Sequence, residues 1–372
     1  MSIRISPLLA GCILACSPMV ALAASATMGP LVVAQSIDLS GPNGSIGRDY
    51  VAGITTCFDS INLKGGINGR KLAYVVRDDH GVPAESASNV TALIREQHAD
   101  YLLGPFGTDA TNAVLAAPAF AGSSHVLFAP LADSSATPSP RASFWRPDMA
   151  SEYLYLLSYF GNLGIKQVGI ALQDSPQNDK AFKYLTGEIR KRGMTLSGVA
   201  KITASPVAIS QQAQALSQTK PRFVIAIADT IGSAQFLRAF SAFAPSTFVA
   251  GTSLTNLSTF QEIAGVNAVE WAVFSQVVPD PSKTGSGLQT DHIKMMKLLR
   301  DEPVSSVTLE GFAVGRTLVM MMQRSTVKSK ALPAGKAGLD LGGMTVSAPE
   351  AGRNMSRYVG IALLKRAGGL MF

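Results

Sequence analysis

The sequence predicts an α/β protein built as two doubly wound lobes. Strand-like and helix-like segments alternate along almost the whole chain, and the alternation restarts after a proline- and serine-rich passage at residues 130–147. A second proline-rich passage, Val278-Pro279-Asp280-Pro281, leads back towards two further helices. Alternation of this kind implies parallel sheets with helices on both faces. A chain of 372 residues is long enough for two separate cores.

In the first lobe the apolar runs Leu31 to Ser36, Leu72 to Arg77, Asp100 to Leu103 and Val126 to Ala129 read as strands. Short β-branched runs without alternation suit strands covered on both faces. Ile46, Tyr50, Ile54, Cys57, Phe58 and Ile61, spaced mostly by three or four, mark a helix over Ile46 to Leu63. Pro83 to Gln97 and Asp109 to Ala121 are the other helices. Gly65, Gly66 and Gly69 between the first helix and the second strand give the backbone freedom a sharp reversal needs. Asp78-Asp79 closes that strand and is expected in solvent.

The second lobe repeats the rhythm. Helices are expected at Ala150 to Gly161, Lys180 to Arg192, Val207 to Gln218 and Ser233 to Phe243. Strands are expected at Gln167 to Leu172, Leu196 to Lys201, Arg222 to Ala228, Thr247 to Gly251 and Ala272 to Gln276. Helices at Asp291 to Arg300 and Leu309 to Met322 rejoin the first lobe, and Leu339 to Val346 and Tyr358 to Leu364 are the final strands. No internal repeat or low-complexity tail is visible.

The ends and composition narrow the class. Arg4, the apolar stretch to Leu22 and the small-x-small triplet Ala21-Leu22-Ala23 form an export signal over residues 1–23. Leu9-Ala10-Gly11-Cys12 offers a competing lipoprotein reading that would lipidate Cys12, with a shorter apolar segment than a signal normally has. No later segment supplies the ~18 uninterrupted apolar residues of a spanning helix. Removing residues 1–23 from the 372 leaves about 349 residues, with Cys57 as the single thiol, so no internal disulfide can form. The net charge of +7 comes from scattered Lys and Arg with no aromatic interleaving, which speaks to solubility and not to nucleic acid. A hydrophobic content of 47% against 15% charged residues fits compact domains.

Enzyme signatures are missing. The chain has no dinucleotide or phosphate-binding glycine loop and no Gly-x-Ser-x-Gly elbow. His80, His98, His125 and His292 have no metal-ligand spacing, and most of them are expected on surfaces or loops. No metal or cofactor is expected, and no bond chemistry.

Three stretches, LSGPNGSIGRDYVAG from Leu39, FDSINLKGGINGRKLAYVVRDD from Phe58 and GPFGTDATNA from Gly104, together resemble the branched-chain amino-acid ABC-transporter receptors, the type I periplasmic binding proteins. The resemblance implies two Rossmann-like lobes joined by a three-strand hinge, the chain crossing a third time near its last strands. The first lobe is then residues 28–147 with 279–338, and the second 148–278 with 339–372. It also implies a periplasmic, monomeric protein that captures a small ligand (amino acid, amide or small carboxylate) and delivers it to an inner-membrane ABC permease. The same fold also serves sensing, feeding a receptor kinase or chemoreceptor, and a small-molecule hydrolase is the remaining, less favoured alternative.

The resemblance assigns site residues by position. Gly107, Thr108 and the loop Leu131, Ala132 and Asp133 would clamp a ligand carboxylate, with Phe106 walling the side-chain pocket and Ile46 at a lid position. The second lobe would add Gln177, Asp229 and Ser253. The chain departs from the family pattern where relatives carry a carboxylate for the ligand ammonium, since Ser253 stands there. Asp229 or Asp133 could take an ammonium from a new direction, or the ligand is not an α-amino acid. Each residue has a plainer role open to it. Thr108 can cap its helix, Asp133 can initiate a turn, and Asp229 sits at a strand end, where such loops face the cleft.

Overall fold

The computed structural model describes Met1 and residues 29–324, 338–350 and 353–372. The export signal and the Cys12 motif lie, Met1 apart, outside the described residues.

The first sheet has the order β2-β1-β3-β4-β5 and is parallel throughout. Its strands are β1 (Leu31–Ile37), β2 (Leu72–Asp78), β3 (Tyr101–Leu103), β4 (Leu127–Phe128) and β5 (Ala142–Ser143). The second sheet joins β6 (Gln167–Gln173), β7 (Thr195–Ile202), β8 (Phe223–Ile227), β9 (Phe248–Gly251) and β10 (Ala272–Gln276) in the parallel order β7-β6-β8-β9-β10. A small hairpin, β11 (Leu339–Asp340) and β12 (Thr345–Val346), precedes β13 (Gly360–Leu364) and β14 (Leu370–Met371). These last two extend the second sheet as antiparallel strands. Both sheets reverse strand order beside their first strand, between β1 and β3 and between β6 and β8. Those are the switch points outside which doubly wound sheets hold ligands.

In the first lobe α1 (Gly44–Leu63) and α11 (Ser306–Arg324) pack face to face, bringing segments far apart in the chain into one core. Glycines permit the close approach. A Cβ on Gly53 would lie 2.1 Å from the Thr308 carbonyl oxygen, and one on Gly311 2.2 Å from that of Tyr50. Helices α2 (Pro83–Arg95), α3 (Thr108–Ala116) and α4 (Pro118–Ala121) cover the other face. The second lobe is covered by α5 (Met149–Asn162), α6 (Pro176–Lys191), α7 (Pro206–Gln218), α8 (Thr230–Ser241) and α9 (Leu257–Ala264). Helix α10 (Gly287–Leu299) returns towards α1. The crossing segments are tied together where Met355 N donates to Phe144 O at 2.9 Å and Ser356 N to Trp145 O at 2.7 Å.

Several expectations need correction. The helix expected over Asp109 to Ala121 is two helices, because Pro118 cannot donate and pushes Ala117 to extended geometry (ψ 129°). The strand expected over Leu339 to Val346 is the β11–β12 hairpin, turned by Gly342 and Gly343 at φ 96° and 98°. Its side chains Leu339, Leu341, Met344 and Val346 join the first-lobe core, although the expected boundary placed them in the second lobe. Asp79 is buried, not solvated, and accepts from Ser36 Oγ (3.0 Å), Ser86 Oγ (2.7 Å) and Gly81 N (3.1 Å). His125 and His292 are likewise buried, not on the surface.

Candidate functional site

The cleft begins at two neighbouring strand-end loops of the first lobe. Gly104 lets them touch, since a Cβ there would sit 2.5 Å from Pro130. Backbone bonds then couple the loops, Leu131 N to Pro105 O at 3.0 Å and Gly107 N to Leu131 O at 3.0 Å. Gly107 adopts φ 93°, a conformation that favours glycine, and turns the chain directly into α3. The expected Thr108 cap is not made: Gly107 holds the cap position and no side chain caps α3, so the amides of its first turn have no partner within the helix. Asp133 initiates the following turn, accepting from Ser135 N (3.2 Å) and Ser135 Oγ (2.6 Å).

The second lobe faces these loops with two helix starts. Asp148 caps α5 through Ser151 N at 2.6 Å, and Ser175 caps α6 through Asn178 N at 3.1 Å. Met149 and Tyr153 on α5, and Lys180, Ala181 and Tyr184 on α6, recur at helical spacing and line one wall. Between the walls lies a cleft of about 680 Å³. Across it Gln177 Nε2 donates to Asp109 Oδ1 at 3.1 Å. Lys180 has no ion-pair partner among the described residues. Burial holds the Tyr153 phenol above its usual range, so it stays neutral. A concave, largely apolar surface with a few converging polar groups is the arrangement of a small-molecule site.

Among the residues assigned from sequence, Phe106, Gly107, Thr108, Asp133 and Gln177 line this cleft together. The other five do not. Ile46 and Leu131 are buried in the first-lobe core, and Ala132 is buried against Ala142 and Phe144. Asp229 caps α8, one oxygen accepting from Gly232 N at 2.7 Å and the other from Gln173 Nε2 at 2.8 Å. Ser253 accepts from Arg146 Nη2 at 2.5 Å, and its N–H donates to Glu152 Oε2 at 2.9 Å. Sequence reasoning missed Asp109, Met149, Tyr153, Lys180 and Tyr184. The four-residue spacings of Met149 with Tyr153 and of Lys180 with Tyr184 were the available signal.

Among the described residues no group of three or more His, Cys, Asp or Glu could hold a metal. No helix among them is long and apolar enough to cross a membrane.

Comparison with known proteins agrees with this architecture. The Periplasmic binding protein family model matches residues 30–357. A substrate-binding protein of a chemotactic signal transduction system, BasB from Halobacterium salinarum, is 30% identical over 87 residues, covering 23% of this chain and 21% of that protein. A Leu/Ile/Val-binding protein homolog 4 from Brucella abortus is 38% identical over 74 residues, 20% of this chain and 18% of that one. The matches thus span about a fifth of those relatives' lengths. An extracellular ligand-binding receptor from Verminephrobacter eiseniae superposes with a TM-score of 0.82 at 20% identity, covering 92% of this chain and all of that one, which speaks for the fold. With the family model spanning both lobes, the chain belongs to the periplasmic binding protein family.

Proposed function

We propose that this protein is the periplasmic solute-binding component of an ABC importer. It captures a small amino-acid-like or carboxylate ligand between its lobes and delivers it to a membrane permease. The observation that carries the reading is the cleft itself, walled by the α3 start and Asp133 from one lobe and by α5 and α6 from the other. A ligand touching both walls gains contacts only in the closed arrangement, and this differential affinity drives closure without bond chemistry. The uncapped first turn of α3, with Thr108, suits a ligand carboxylate. Phe106, Met149 and Tyr153 suit an apolar body, and Asp133, Asp109 and Lys180 are the charges available at its edges.

The test is a thermal-shift screen of residues 24–372 against amino acids, amides and aromatic acids, because binding to the folded state alone raises the melting temperature. Uptake of a labelled hit should fall when the gene is deleted. A hit whose uptake is unaffected would favour a second reading, sensing, which the likeness to BasB supports. Conversion of the hit, in place of its unchanged recovery, would overturn both readings in favour of hydrolysis.

A further inference from the structure

A second charged cluster lies away from the cleft lining, buried where the lobes meet. Arg146, on the crossing between β5 and α5, is 3% exposed, Glu152 of α5 2% and Glu310 of α11 5%. Arg146 Nη2 stands 3.9 Å from Glu152 Oε1, and Arg146 Nε stands 3.5 Å from Glu310 Oε1. Glu152 is further held by the second lobe, taking Ser253 N at 2.9 Å and Ser275 Oγ at 2.5 Å on Oε2. Arg146 is tied to Ser253. Arg146, Glu152, Ser253 and Ser275 therefore form one connected unit on the second-lobe side, while Glu310 comes to it from the first lobe.

The charges of this cluster do not balance. Two carboxylates face one guanidinium, and Arg146 Nε and Nη1 make no hydrogen bond although fully enclosed. Arg146 with Glu152 is already neutral, so an ionised Glu310 adds an uncompensated buried negative charge, which is costly. Among the described residues Tyr50 of α1 also faces Glu310; burial keeps it neutral, and it offers no positive charge. An open arrangement that separated α11 from the Ser253 side would expose Glu310 to water.

We infer that closure of the lobes takes up a proton on Glu310, so that the open–closed equilibrium of this protein is proton-linked. Burial raises the affinity of the Glu310 carboxyl for its proton, Glu152 adds to this and Arg146 opposes it. A group that binds its proton more tightly in the closed form must favour that form as pH falls. One linked proton shifts the closing equilibrium by at most about tenfold per pH unit. The inference rests on the two-lobe closure of the proposed function but on no ligand.

The experiment is small-angle scattering on the ligand-free protein from pH 8 to pH 5, with Glu310→Gln and, separately, His80→Gln/His98→Gln. The wild type and the histidine variant should become more compact as pH falls, and Glu310→Gln should stay compact and pH-independent. A wild type without a pH response, a response that disappears with the histidines, or one that persists in Glu310→Gln would each overturn the inference. The histidine variant changes exposed side chains, so the test survives a Glu310→Gln that does not fold. Because no ligand enters it, its failure is distinct from a failed ligand screen.

Discussion

Asp229 shows how far a single residue could be read from sequence. Its position after a strand pointed to the cleft, yet both carboxylate oxygens serve α8 and Gln173. Asp229→Ala should therefore lower stability by about 1 kcal/mol, the usual loss of an N-cap, and leave the affinity for a screened ligand unchanged. Denaturant unfolding and calorimetric titration of the same variant check the two halves. A tenfold loss of affinity would return Asp229 to the site. Ser253 was likewise drawn away by a partner that local sequence cannot reveal, Arg146, 107 residues earlier. Thr108, Asp133 and Phe106 were legible because their placement depends on a local feature, a glycine-rich strand end running straight into a helix.

At the scale of elements, strands and long helices were legible because burial writes a period into the chain. Errors fell where length or chain chemistry overrode that period. Strand β5 holds two residues inside a proline-rich passage, and α9 begins at the Asn256 cap in a stretch whose polar residues obscure the period. The α1–α11 contact was not legible at all, because Gly53 and Gly311 are defined by what a Cβ would strike. Gly53→Ala should destabilise the protein by about 1–3 kcal/mol or more, since the obstacle is a backbone carbonyl that cannot yield. Gly161, inside α5, has no neighbour in the way. Gly161→Ala should instead stabilise by roughly 0.5–1 kcal/mol. Chemical denaturation of the pair separates close packing from simple helix preference.

For the whole molecule, one contribution to acid stability comes from His292, buried between α10 and α11 with Nε2 3.0 Å from Thr308 Oγ1. Burial, aided by Arg316, lowers its pKa to about 4. The unfolded chain then binds the proton more readily than the native one, so His292 contributes stability above pH ~6.5 that is lost as pH falls towards 4. The melting temperature should drop across that window, and His292→Gln should flatten the slope. A slope unchanged by the substitution would place the acid sensitivity elsewhere. This trend opposes that of Glu310, whose raised proton affinity in the folded state also enters melting, so the two are separated by comparing the melting slopes of His292→Gln and Glu310→Gln.

The union of α1 with α11 also sets the order in which the molecule can be assembled. Residues 44–63 find their packing partner only after residues 306–324 have been made. Helices α5 to α9 and their sheet, by contrast, come from one continuous stretch and need only the last two strands from beyond it. On a growing chain the face of α1 that packs on α11 therefore stays uncovered until the far end has been made, whereas the middle sheet has nearly all its strands at hand.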